Sequence, residues 1–144
     1  MRFFLAPALA VLLAPALLAQ STIVGTGYGF PTPLNAAPGQ VLTLFVQGIN
    51  QLLTPPVRAN DGAWPTSLAG ISVTLLQGER IPVPILEVRP MPTCGPPFPL
   101  EIPCGTITAV TVQIPYELIP LCPLCLRPVG PSPELIVSKM DRMA

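Results

Sequence analysis

The chain has 144 residues, with seven basic and seven acidic side chains and no histidine. The missing histidine removes the Ser-His-Asp and Cys-His constellations and the commonest metal ligand, and the sparse, balanced charge leaves no basic stripe for nucleic-acid phosphates. Its 22 prolines exclude long helices, since an interior proline costs about 3 kcal/mol, while the β-branched and aliphatic residues between them exclude a disordered chain.

Residues 1–19, MRFFLAPALAVLLAPALLA, read as a signal peptide. Arg2 is the positive start, Phe3 to Leu18 is uncharged and apolar, and Ala19 before Gln20 is the expected cleavage point. Cleavage after Ala16 is the alternative. The stretch falls short of the roughly 20 apolar residues that span a bilayer, and Pro7 and Pro15 interrupt it. Residues 20–36 are expected to lead into one domain over 37–144, with no membrane insertion once the leader is removed. Charged residues make up only 10% of the chain, well below the usual share. Such a surface suits docking into a larger envelope or surface assembly.

Strand signals recur along the rest of the chain. Thr22-Ile-Val24 is a short β-branched run. Val41 to Gln47 is an apolar strand between the turn signal Pro38-Gly39 and Gly48. Ile71, Val73 and Leu75 alternate with Ser72 and Thr74, the period of a strand with one buried face. Gln77-Gly78-Glu79-Arg80 predicts a hairpin turn into a strand over 81–88. Pro82 and Pro84 remove two donors on the same side of that strand, which places it at a sheet edge or beside a gap. Val110, Val112 and Ile114 mark a half-buried strand over 107–114, and Leu135-Ile-Val137 is a last short one. Short strands with Gly/Pro turns predict an all-β immunoglobulin-like β-sandwich of about six to seven short strands with proline-rich loops.

Three segments carry a resemblance: Ala37-Pro-Gly-Gln-Val-Leu-Thr-Leu-Phe-Val-Gln-Gly48, Pro65-Thr-Ser-Leu-Ala-Gly-Ile-Ser-Val-Thr-Leu75 and Val110-Thr-Val-Gln-Ile-Pro-Tyr-Glu117. In that order, over residues 37–118, the chain resembles the uncharacterised C-terminal domain found on secreted proteins of Solibacter and other acidobacteria. The resemblance implies an immunoglobulin-like domain of the IPT/TIG type and brings no catalytic residues. Two departures stand out. The chain adds a cysteine-bearing, proline-rich loop from Pro90 to Gly105, and it ends at Ser-Lys-Met-Asp-Arg-Met-Ala where the family pattern leads one to expect further strands. The sandwich is therefore expected to be incomplete at its C-terminal edge. That edge would be filled by Thr22-Ile-Val24, would be open to strand pairing with another protein chain or a second copy, or would follow from a truncated gene. Independently of the family, Gly39 and Gly70 suit positive φ where strands begin. Tyr116 is expected to lay its ring on the sheet edge and bond its hydroxyl to backbone, as a tyrosine corner does.

The candidate chemistry is thin. Asn60-Asp-Gly62 lacks the repeated acidic positions of a calcium loop and reads as a turn. Trp64 and the two tyrosines, Tyr28 and Tyr116, offer a sugar-stacking platform; for Trp64 and Tyr116 a structural role at an edge is the competing expectation. Four cysteines stand at C-x9-C-x17-C-x2-C, namely Cys94, Cys104, Cys122 and Cys125. Only the last two form a metal-binding knuckle, and prolines surround them where a redox pair needs a helix N-terminus. In an exported chain all four read as disulfide cysteines. A strand of eight residues, roughly 25 Å long, separates the two pairs, which favours Cys94–Cys104 and Cys122–Cys125. The sequence thus points to an exported, non-enzymatic module with a structural, adhesive or protein-interaction role and no cofactor. A carbohydrate-binding module is the alternative, and a thiol-disulfide oxidoreductase at Cys122 and Cys125 the second.

Overall fold

The computed structural model describes residues 21–32, 36–49, 55–62, 64–96, 104–118 and 134–139. The expected signal peptide and Cys122 and Cys125 lie outside the described residues. The fold is all-β, with nine strands in two antiparallel sheets. They are β1 (Thr22–Gly27), β2 (Val41–Gln47), β3 (Val57–Arg58), β4 (Ser67–Leu68), β5 (Ile71–Gln77), β6 (Glu79–Val83), β7 (Ile85–Pro92), β8 (Thr106–Gln113) and β9 (Glu134–Lys139). No helix among the described residues is long and apolar enough to cross a membrane.

The larger sheet has the order β1-β2-β8-β7-β3. In the smaller one, β5 is central. β9 pairs with it over residues 71–76 along one side, while β4 and then β6 pair with it along the other. Alternation in the sequence decides which faces meet. Leu42, Leu44 and Val46 of β2, Val110 and Val112 of β8, and Ile71, Val73 and Leu75 of β5 are all buried in one core between the sheets. Fully burying each such side chain is worth roughly 1.5–3 kcal/mol. The intervening positions of β2 and β8 carry a second, smaller cluster, Phe45 with Ile107 and Ala109, against which Val24 and Met91 pack. Thr43 and Thr111, a paired position on the same face, share a hydroxyl hydrogen bond of 3.1 Å.

The strand expected over 81–88 is two strands in different sheets. β6 ends at Val83, and after Pro84 the chain continues as β7 in the other sheet. Proline supplies no N–H to continue the ladder, but its carbonyl still accepts from the Gln113 N–H at 3.0 Å. The edge position expected from the prolines holds for one of the two: among the described strands β6 pairs only with β5, with Pro82 opposite Thr74, whereas β7 lies between β8 and β3. Among the described residues there are nine strands: seven of five residues or more, and β3 and β4 of two residues each, too short to show any period. β7 also runs further than expected, through Pro90 and Pro92, before the Cys94–Cys104 disulfide ties the base of the loop.

The expected C-terminal gap has a different outline. Leu135-Ile-Val137 lies within β9, paired with β5. Thr22-Ile-Val24 does not add a strand beside it; it belongs to β1, which pairs with β2 in the other sheet. The Ser21 hydroxyl, just ahead of β1, donates to the Val137 carbonyl of β9.

Candidate functional site

The site grows from the turn Ala37-Pro-Gly-Gln40. Gly39 has φ of 75°, a left-handed conformation that costs other residues energy. Gln40 closes the turn twice: its N–H donates to the Ala37 carbonyl at 3.1 Å, and its Oε1 accepts from the Ala37 N–H at 2.8 Å. Two backbone bonds then clamp the turn to the end of β8. The Gly39 N–H donates to the Ile114 carbonyl at 2.9 Å, and the Ile114 N–H donates to the Gln40 carbonyl at 2.8 Å. Gln113 adds a longer bond, from Nε2 to the Gly39 carbonyl at 3.3 Å.

A tyrosine stands on each side of this clamp. The Tyr116 ring lies directly on Gly39, so close that a Cβ there would sit 2.5 Å from its Cε1. The ring thus rests on the turn that leads into β2. The hydroxyl bond of a tyrosine corner is not formed among the described residues. On the other side the Tyr28 hydroxyl accepts from Gln40 Nε2 at 2.7 Å, and the Tyr28 carbonyl accepts from the Thr43 hydroxyl at 3.0 Å. Tyr28 belongs to a segment that folds back on β1, held by Thr32 N–H to the Thr26 carbonyl at 2.8 Å. Pro31 packs so tightly on Gly25 that a Cβ there would lie 2.9 Å from the proline's Cβ. Despite these anchors, Tyr116 is 74% and Tyr28 67% exposed, with Phe30 at 50%.

No family model, curated protein or solved structure matches the chain. The surface itself therefore carries the functional argument.

Trp64 reaches the same end of the sandwich by another route. It precedes Pro65, whose carbonyl accepts from the Ile85 N–H at 2.8 Å. Ile85 pairs with Val112 and Val41 pairs with Gln113, so the start of β7, the end of β8 and the start of β2 lie side by side. Trp64 is 42% exposed and belongs to neither apolar cluster. Trp64 thus holds a surface position. At the opposite end, Cys94 and Cys104 are joined with Cα atoms 4.7 Å apart. Thr93 braces them: its hydroxyl accepts from the Gly105 N–H at 2.8 Å. Among the described residues no three His, Cys, Asp or Glu side chains come together in a metal-binding group.

The expectation of an aromatic platform named the tyrosines and Trp64 without saying what holds them. Gln40 and Phe30 were missed. Gln40 carries a weak signal, as a polar residue between a Pro-Gly turn and an apolar strand; Phe30 carries none.

Proposed function

We propose that the chain is an exported, non-enzymatic binding module of immunoglobulin-like type, acting through the aromatic end of its sandwich. The observation that carries this reading is the exposure of Tyr28, Phe30, Trp64 and Tyr116 at that end, two of them braced by hydrogen-bonded turns. Large exposed aromatics on a fixed frame lose little side-chain entropy on binding, as recognition surfaces require. Export is supported by the apolar leader and by the Cys94–Cys104 disulfide, which belongs in an oxidising compartment. The resemblance of residues 37–118 to the acidobacterial secreted domains supports the immunoglobulin-like assignment, as do two antiparallel sheets packed on one core.

The test is adhesion of the purified mature chain to cell-envelope material, compared with the Tyr28→Ala/Tyr116→Ala double variant. Loss of binding with an unchanged far-ultraviolet spectrum supports the reading, and undiminished binding overturns it. N-terminal sequencing of exported protein should give Gln20 or Leu17; material that still begins at Met1 removes the export claim.

A second contact favours a protein partner. Among the described strands β9 pairs with β5 alone, so its other side offers a route for strand addition. A dimer that dissociates on Ile136→Pro would support this route, and a monodisperse wild-type monomer with protected 134–138 amides would exclude it.

A further inference from the structure

We infer that the Ala37–Gln40 turn, with Tyr28 and Tyr116 on its flanks, is a binding site for a neutral polysaccharide of pyranose units. The inference rests on reading the aromatic end as the binding surface and names the ligand class for it. A pyranose has an apolar face of C–H groups and a rim of hydroxyls. The site presents both counterparts. The Tyr116 ring meets Gly39 through Cε1, Cζ and the hydroxyl while the side chain remains 74% exposed, which leaves ring surface turned away from the turn for stacking. The Tyr28 hydroxyl already accepts a bond from Gln40 Nε2, which leaves its own proton to donate outward. Gln40 has spent Oε1 on the Ala37 N–H and one amide hydrogen on Tyr28, and keeps the second hydrogen as a further donor.

Two other ligand classes fit less well. An extended peptide adding to a sheet needs unpaired backbone groups. Here the N–H groups of Gly39, Gln40 and Ile114 and the carbonyls of Gln40 and Ile114 are all paired. An acidic polysaccharide needs a cation, whereas the charged neighbour of Tyr116 is the exposed carboxylate of Glu117. A neutral ligand incurs no repulsion there.

The experiment is binding of the mature chain to soluble glucans, xylans and mannans, beside pectin and a sulfated polysaccharide, by calorimetry and on a printed array. Retention of at least one neutral polymer is expected. Tyr116→Ala should weaken that binding at least about five-fold. Tyr116→Phe should weaken it less, and Tyr28→Phe should weaken it by removing the outward donor. No neutral polymer bound, acidic polymers alone bound, or unchanged affinity in a folded Tyr116→Ala variant would each overturn the inference. The two readings separate cleanly. If Tyr116→Ala abolishes adhesion to envelope material while no polysaccharide binds, the aromatic end stands as the binding surface and the ligand class falls. If neither adhesion nor polysaccharide binding depends on Tyr116, both fall.

Discussion

Replacing Gly39 by alanine should report on the turn and the tyrosine together. At φ of 75° an L-residue carries a penalty of about 1–2 kcal/mol. The new Cβ would also sit 2.5 Å from Tyr116 Cε1 and 2.9 Å from Cζ, inside van der Waals contact, so the ring must move. Because Tyr116 is 74% exposed, it can swing away, and the clash should add less than the backbone strain. The expected total is about 1.5–2.5 kcal/mol, or a fall in Tm of roughly 5–15 °C for a domain of this size. Thermal unfolding followed by circular dichroism measures it, and a double-mutant cycle with Tyr116→Ala divides it. With the ring gone only the φ strain should remain, so the cost of Gly39→Ala should shrink by a few tenths of a kcal/mol but stay above about 1 kcal/mol. A Gly39→Ala variant as stable as the wild type would refute the turn geometry. A full cost that vanishes entirely in the Tyr116→Ala background would show that the strain lies in the contact and not in the backbone.

Ala69 is the converse case, a non-glycine at φ of 52° followed by Gly70 at 73° in the two-residue turn between β4 and β5. Ala69→Asn should stabilise by up to about 1 kcal/mol, and a lowered Tm would contradict the assignment. Cys94→Ser should cost somewhat under about 3 kcal/mol on the loop-entropy model and lower Tm more than Cys122→Ser does; equal or reversed losses, or four free thiols by mass spectrometry, would count against it. Phe45→Ala should cost about 3–5 kcal/mol, since Phe45 is fully buried in the second apolar cluster; denaturant titration checks this, and a loss below 1 kcal/mol would mean the cluster is dispensable. Pro82→Thr restores a backbone donor on the outer side of β6 and should promote self-association; light scattering that still reports the wild-type mass would dismiss that protective role.

The strands with regular alternation were legible in the sequence, because their burial follows a period of two. Residues 41–47, 71–77 and 106–113 supply most of the main core. Ile71, Val73 and Leu75, like Val110 and Val112, carried that alternation, whereas 41–47 carried an apolar run and is buried at every position from Leu42 to Val46. The crossing at Pro84 was half legible: the prolines marked an edge, but a change of sheet is a three-dimensional event with no local signature beyond a missing donor. β3 depends on tertiary pairing, Val57 with Val88 and Arg58 with Glu87, the latter reinforced by an ion pair at 3.1 Å. The side chain of Arg58 is mostly exposed, so that pair adds at most roughly 1 kcal/mol. The aromatic end was legible only as a list of aromatics. Its geometry depends on Gln40 meeting Tyr28 twelve residues earlier and on Gly39 meeting Tyr116. Neither contact leaves a mark on the sequence between them.

The pairing of distant segments has a consequence in time. β2 docks on β8 through Leu42 opposite Val112, and β5 receives β9 only when Val137 comes to Val73. These two ladders join residues 62 and 58 positions apart even at their nearest pairs, Val46 with Thr108 and Leu76 with Glu134, and topologies of this kind fold in milliseconds to seconds rather than microseconds. While the chain is being made, β2 can pair with β1, and β5 with β4 and β6, but β2 waits for β8, and the last described strand to emerge, β9, completes the smaller sheet. For a protein that must thread a membrane unfolded, as proposed here, this delay favours threading over folding until β9 has followed β5. Refolding of the mature chain followed by stopped-flow circular dichroism should then be slow. It should also be arrested when residues 134–144 are deleted, and rapid refolding of the deleted form would break the link between topology and timing.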